Sequence, residues 1–242
     1  MAQHDAAGTG GRVTVWRRAK RALVLAVAGF LTLSIGLVVI YRFLPPPITP
    51  LMIIRLFEGE GLYKDWAAYD DVSSQVFKAV IAAEDTRFCQ HHGFEFGSIL
   101  DAWKSNKKGR RTRGASTITM QTSKNLFLWP GGSYPRKVVE AYFTVLLELF
   151  WDKRRILEVY VNVAEFGQGI YGIEAAAQTY YKKSAKDLSA GEAARLAAIM
   201  PNPRRFSPQN PPGQHLSRIR GEMRGQPPPI DRRCPVGRYE GD

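Results

Sequence analysis

The chain has 242 residues, 45% hydrophobic and 23% charged, which excludes wholesale disorder and leaves room for one globular domain with appendages. Its 34 Lys and Arg against 22 Asp and Glu give a net charge of +12, but the excess sits at the ends: +5 in residues 1–44, +3 in 45–203 and +4 in 204–242. A phosphate-binding module carries its basic footprint on the folded part, so no nucleic-acid partner is expected, and Cys89 and Cys234 supply neither a disulfide framework nor a zinc cluster of paired cysteines.

Residues 1–21 form a basic N-terminus, with Arg12, Arg17, Arg18, Lys20 and Arg21 opposed only by Asp5. Ala22 to Tyr41 is then a run of twenty uncharged residues, about 30 Å as a helix and enough to cross a bilayer. The positive flank places the N-terminus in the cytoplasm and the remainder outside. A cleaved signal peptide is the competing reading. The run exceeds an ordinary h-region, however, and Tyr41-Arg42-Phe43-Leu44-Pro45 offers no small-x-small cleavage pattern.

Residues 42–50, with Pro45-Pro46-Pro47 and Pro50, read as a stiff linker. Leu51 to Phe57 is apolar but too short to span, so it is either core or a surface that touches the bilayer. From Ser73, Val76, Ala79, Val80 and Ala83 recur at helical spacing and put Glu84 near a helix C-terminus. Further helices are predicted over Ser116 to Phe127, Pro135 to Phe150, Asp152 to Val163, Gly172 to Tyr181 and Ser189 to Met200, the last opened by a Ser189/Glu192 capping box and stopped by Pro201. No alternating strand set appears. The predicted fold is mainly α, with a globular part at 51–208 and a poorly ordered tail at 209–242.

Four stretches go beyond a plain helical core. Glu84-Asp85 at a helix end precedes Phe88 and His91-His92-Gly93; the negative end of the helix dipole and an apolar wall would raise a carboxyl pKa there, as a general base near neutrality requires. A solvated helix end would carry the same pair. A zinc site from Glu84, Cys89, His91 and His92 lacks a standard spacing. In the second stretch, Arg113-Gly114-Ala115-Ser116 leads into a helix whose Thr117, Gln121, Lys124 and Asn125 share one polar face. The third sets Arg136 and Lys137 on the same face as Glu140, and the fourth runs from Asp152 through Arg155, Tyr160 and Asn162 to Gly172. The basic run Lys104 to Arg113 is either a solvated loop or a rim for anionic lipid or a phosphorylated substrate.

In this order the motifs Glu84-Asp85-x-x-Phe88-x-x-x-His92-Gly93, Arg113-Gly114-Ala115-Ser116-Thr117-Ile118, Gln121-x-x-Lys124-Asn125-Leu126-Phe127, Arg136-Lys137-x-x-Glu140 and Arg155-Ile156-Leu157-x-x-Tyr160-x-Asn162 resemble glycosyltransferase family 51, the peptidoglycan glycosyltransferases. The chain looks like the monofunctional members, since Ser105-x-x-Lys108 is followed by no S-D-N or K-T-G. The resemblance implies a lysozyme-like helical domain with a small membrane-associated lobe. It also implies lipid II and the growing glycan strand as substrates, with Glu84 as general base and Glu140 as the second catalytic carboxylate. Lys124, Arg136 and Lys137 would meet the pyrophosphate, and Asp85, Phe88, His92, Ser116, Thr117, Gln121 and Asn125 would bind or position substrate. No tightly bound cofactor and no protein-held metal is implied, although the pyrophosphate would accommodate Mg or Mn. Membrane lipids, and proteins of cell-wall synthesis or division, are the expected partners, with the catalytic domain on the periplasmic side of the bacterial inner membrane.

Two departures stand out. Met120-Gln121 replaces the paired glutamines usual in the family, and Gly221 to Asp242 reads as low-complexity chain where relatives tend to close with an amphipathic helix. Two other readings compete. A muramidase-type lytic enzyme would also use a helix-end Glu but gives no reason for the cationic motifs. An inactive membrane-anchored scaffold would not need both glutamates.

Overall fold

The computed structural model describes residues 9–97 and 116–225. The run Lys104 to Arg113, the Arg113-Gly114-Ala115 part of the second motif and residues 226–242 lie outside them. The chain divides into two units, Met1–Phe43 and Leu44–Asp242.

The first unit is α1, Thr9–Phe43. Within it Val15–Phe43, 29 residues, is long and apolar enough to cross a membrane. It exceeds the expected span because nothing in the basic flank breaks a helix.

The second unit is mainly helical, as expected. It opens on the proline segment, which is docked rather than free: Lys64 Nζ donates to the carbonyls of Pro46 and Pro47 at 2.5 and 3.1 Å, and Arg155 to Leu44 O at 2.8 Å. Thr49 caps α2, Pro50–Phe57, whose Met52 is buried while Ile53, Leu56 and Phe57 are exposed. Next come β1 (Tyr63–Lys64), a 3-10 turn at Tyr69–Asp71, and α3 (Ser74–Glu84), capped by Ser73. Helices α4 (Ile118–Phe127), α5 (Tyr134–Phe150) and α6 (Lys153–Val163) follow. Asp152 opens α6 by accepting from Arg155 N at 2.7 Å. Strands β2 (Glu165–Gly167) and β3 (Ile170–Tyr171) precede α7 (Ile173–Tyr181), a 3-10 turn at Ala185–Asp187 and α8 (Ala190–Ile199), opened by the capping box predicted from sequence.

The three short strands pair in the order β1-β3-β2, β1 parallel and β2 antiparallel to β3. With only two or three residues each, they are too short for an alternating pattern to show. Asn162 on α6 holds the loop after β1: its Oδ1 accepts from Ala67 N at 2.9 Å and its Nδ2 donates to Ala67 O at 2.8 Å, imitating a strand partner. Gly172 closes the turn at φ +88°, where a Cβ would meet Asn162 O at 2.9 Å and Asp65 O at 3.0 Å.

The core lies where α3 packs on α8 and where α4 packs between α5 and α6. Phe77, Leu147, Ile156, Tyr160 and Phe166 are among its fully buried side chains.

The expectation of an unordered tail from residue 209 is corrected. Gly213–Gly225 forms α9, which packs on α3 and α8 through buried Leu216, Ile219 and Met223. These three lie at i, i+3 and i+7, a helical stripe, and its burial outweighs the poor propensity of the glycines. Ile219 is 0% exposed, so Ile219→Ala is expected to cost about 2 to 5 kcal/mol, read as a lower midpoint in chemical denaturation. An unchanged midpoint would detach α9 from the fold.

Candidate active site

The site is assembled around α4. Its N-cap Thr117 is buried, donates to Gly93 O at 2.6 Å and accepts from Met120 N at 3.2 Å. Asp85, the C-cap residue of α3, is buried beside it; one carboxylate oxygen accepts from Ile118 N at 3.0 Å, and His91 Nε2 lies 3.0 Å from the other. The last turn of α3 is thereby joined to the first turn of α4. Gly93 permits the intervening loop at φ +84°, where a Cβ would lie 2.9 Å from Thr144 Cγ2 on α5.

With α4 so placed, Ile118, Thr122 and Leu126 face the core, and Gln121, Lys124 and Asn125 face a cleft. Gln121 Nε2 donates to Glu84 Oε2 at 2.7 Å, while Gln121 Oε1 accepts from the buried Tyr160 hydroxyl at 3.1 Å. An ionised carboxylate only accepts, so Glu84 draws the Nε2 end of the amide and leaves Oε1 to the Tyr160 hydroxyl. Burial raises the pKa of Glu84 above its ordinary 4.5, opposed by the Gln121 hydrogen bond and by the charges of Lys124 and Arg218. The neighbouring carboxylate of Asp85 adds to the rise.

The second carboxylate is held differently. Glu140 is 1% exposed and accepts from Arg136 Nη1 at 3.1 Å and Lys137 Nζ at 2.6 Å. Its helix is tied to α4 by Ser123, whose hydroxyl donates to Glu140 O at 3.0 Å. Lys124 faces this group. Burial lowers its pKa, as do Lys137 and Arg136, while Glu140 and Glu84 act in the opposite direction.

Two openings result. One, of about 460 Å³, is bordered by Lys124, Asn125, Arg136, Lys137 and Glu140 and extends to Leu51, Arg55 and Glu165. The other, of about 530 Å³, is bordered by Glu84, Asp85, His215 and Arg218. Ser116 and Gln121 line both.

Several sequence-predicted residues take other places. Phe88 is fully buried under the Lys153 ammonium, 4.4 Å from its ring centroid, so it belongs to the core rather than the cleft. Lys153 also donates to Glu148 at 2.7 Å, which accepts from Thr119 at 2.6 Å, a buried polar knot beneath α4. Thr117 spends its hydroxyl on the cap, and Asp85, although it borders the second opening, spends its carboxylate on His91 and Ile118, so both hold elements together. His92 is exposed and lines neither opening; the adjacent His91 is the buried one. Met120 is half-buried and borders neither opening, so replacing a glutamine there removes no lining group. Tyr160 was legible as part of a motif but not as the partner of Gln121 Oε1. Arg218 and His215 carried no sequence signal at all, because they reach the site from the segment read as an unordered tail.

Among the described residues no group of three or more His, Cys, Asp or Glu could hold a metal ion. Of the two carboxylates that border the cationic opening, Glu140 and Glu165, Glu140 is already engaged by two cations.

The raised pKa of Glu84 has a consequence for stability. Its folded value lies above the unfolded one, so the folded state holds more protons between the two, and stability falls as pH rises through that window. Above it, ionised Glu84 is a standing cost. Glu84→Gln is therefore expected to unfold at a higher temperature than wild type at pH 7, with the difference closing as the pH approaches 4.5 in thermal melts. A lower melting temperature at pH 7 would contradict this.

Comparison with known proteins places these features in a family. Residues 52–224 match the family described as Transglycosylase, a span that takes in α9 as far as Arg224. A "biosynthetic peptidoglycan transglycosylase" of Caulobacter vibrioides is 51% identical over 205 residues, covering 84% of this chain and 88% of the relative. Proteins of the same name from Bdellovibrio bacteriovorus and Rhodospirillum centenum are 49% and 46% identical, covering 85% and 93% of this chain and 84% and 94% of theirs. With two glutamates in separate environments, a cationic cleft between them and a match over nearly all of the second unit, the chain belongs to the transglycosylase family.

Proposed function

We propose that this chain polymerises lipid II into peptidoglycan glycan strands, with inversion at the anomeric carbon and undecaprenyl pyrophosphate as the leaving group. The observation that carries the reading is the pairing of the two openings. One holds a carboxyl of raised pKa, the other a cluster of cations, and they share Ser116 and Gln121.

In this reading the acceptor's sugar 4-hydroxyl enters the opening bordered by Glu84, which takes its proton as the oxygen attacks the donor's anomeric carbon. A carboxyl with raised pKa is a stronger base once ionised, which suits an alcohol of low acidity. The bond from the anomeric carbon to the pyrophosphate breaks as the new glycosidic bond forms. The charge that grows on the leaving group is met by Lys124, Arg136 and Lys137, preorganised in a partly desolvated cleft. Glu140 holds Arg136 and Lys137 in place, and so acts on the donor side. A divalent cation, Mg or Mn, would arrive with the pyrophosphate. Ser116, Gln121 and Asn125 line the path between the partners.

The family, the apolar α1 and the exposed face of α2 support a membrane-anchored enzyme, in keeping with a substrate carried on a lipid. The basic flank before the span supports a cytoplasmic N-terminus and a periplasmic catalytic unit.

Incubation of the purified full-length chain with lipid II tests the reading, since a synthase gives polymer, a lytic enzyme shortens existing glycan, and a scaffold does neither. Glu84→Gln is expected to lower the polymerisation rate by about 10² to 10⁴ with KM nearly unchanged, whereas Glu140→Gln should raise KM along with the loss of rate. Near wild-type polymerisation by folded Glu84→Gln would remove Glu84 from the role of base.

A further inference from the structure

We infer that Arg218 is a positioning residue for the base: α9 holds the last turn of α3 through it, and so fixes where the Glu84 carboxyl stands. This rests on the reading of Glu84 as the base. Arg218 Nη1 donates to Ala82 O and Nη2 to Ala83 O, both at 2.9 Å. These are the two carbonyls immediately before Glu84, in the turn of a helix where carbonyls lack intrahelical donors. A guanidinium fork satisfies two such acceptors at once and sets its charge at the negative end of the helix dipole.

The fork is itself held. Nη2 lies 3.2 Å from His215 Nδ1, and because a guanidinium only donates, Nδ1 is the acceptor and His215 is neutral there. Burial and the Arg218 charge both depress the His215 pKa, in keeping with that assignment. Buried Leu216 and Ile219 flank Arg218 on α9 and seat the helix against α3 and α8. Without the fork, the buried Ala82 carbonyl and the Ala83 carbonyl beside the opening would lose these donors, and the α3 terminus would be free to fray at the residue that matters most.

Arg218 also acts on Glu84 through charge, since it is one of the two cations that oppose the burial-driven rise in its pKa. The other is Lys124 on α4, with Asp85 acting in the opposite sense. Tyr160 on α6 contributes its hydroxyl through Gln121, while Glu95, His215 and Glu222 border the same opening. Position and charge are therefore separable by substitution.

The test uses the full-length chain and lipid II, measuring kcat, KM and the pH profile beside thermal melts. Arg218→Gln removes both the fork and the charge: kcat should fall by about 10-fold to 100-fold, the scale of an ångström-level misplacement, with KM little changed. Its acidic limb should move to higher pH, because Glu84 loses a cation that lowers its pKa. Arg218→Lys keeps the charge without the fork, so kcat should still fall while the acidic limb stays near that of wild type. A residue that merely stabilised the fold would lower the melting temperature and leave both limb and kcat per folded molecule unchanged, and that result would overturn the proposal. If Arg218→Gln does not fold, Arg218→Lys decides the matter, and a wild-type kcat in that variant overturns it. Full activity in Glu84→Gln would refute the base itself. An inactive Glu84→Gln beside an unaffected Arg218→Gln would refute only the positioning role.

Discussion

A buried carboxylate must find donors or become uncharged, and Asp85 is where this chain meets that demand. Its two oxygens are matched by Ile118 N and by His91. Neither partner is near in sequence space to the other: one opens α4, and one lies in the loop after α3. Satisfying Asp85 therefore brings the end of one helix against the start of another. Thr117 then reaches back to Gly93 O, and the loop closes on α5 at a position where only glycine fits. Gln121 falls one turn into α4 beside Glu84, and Lys124 one turn further beside Glu140. The spacing of Gln121 and Lys124 along the cleft is thus the pitch of α4, read from a fixed origin.

Two glutamates of the same chemistry are given opposite surroundings. Glu84 is enclosed with an amide as its direct partner, so burial dominates and its pKa rises. Glu140 is enclosed with two cations in hydrogen-bonding contact, so its charge is matched on the spot. The partly desolvated Lys124 lies between them, and its charge is felt by both. Beneath α4, Thr119, Glu148, Lys153 and the ring of Phe88 form a second polar layer, on which the helix rests. A buried network of this kind fixes orientation only because each member has a partner.

Local signals were legible in the sequence because they depend on neighbours in the chain. The Ser189 capping box, the helix starts near Ser73 and Asp152, the polar face of α4 and the pairing of Arg136 and Lys137 with Glu140 all follow from helical period and capping chemistry. The long apolar run follows from composition, and the order of motifs sufficed to indicate the family.

Which of two adjacent residues faces inward is not a local property, and there the sequence fell silent. His91 and His92 are chemically identical, yet only the first reaches Asp85, because the turn ending in Gly93 rotates the second into solvent. Phe88 and Thr117 sit inside motifs that carry chemistry, but packing against Lys153 and Gly93 turns them into the core. The glycines of Gly213–Gly225 argue against a helix on propensity, and only the α3 and α8 surfaces that bury Leu216, Ile219 and Met223 outweigh them. Composition, period and motif order thus determined most of the helices and the chemistry available. Long-range burial, which no window of sequence contains, decided which side chains hold the site together and which are left to work in it.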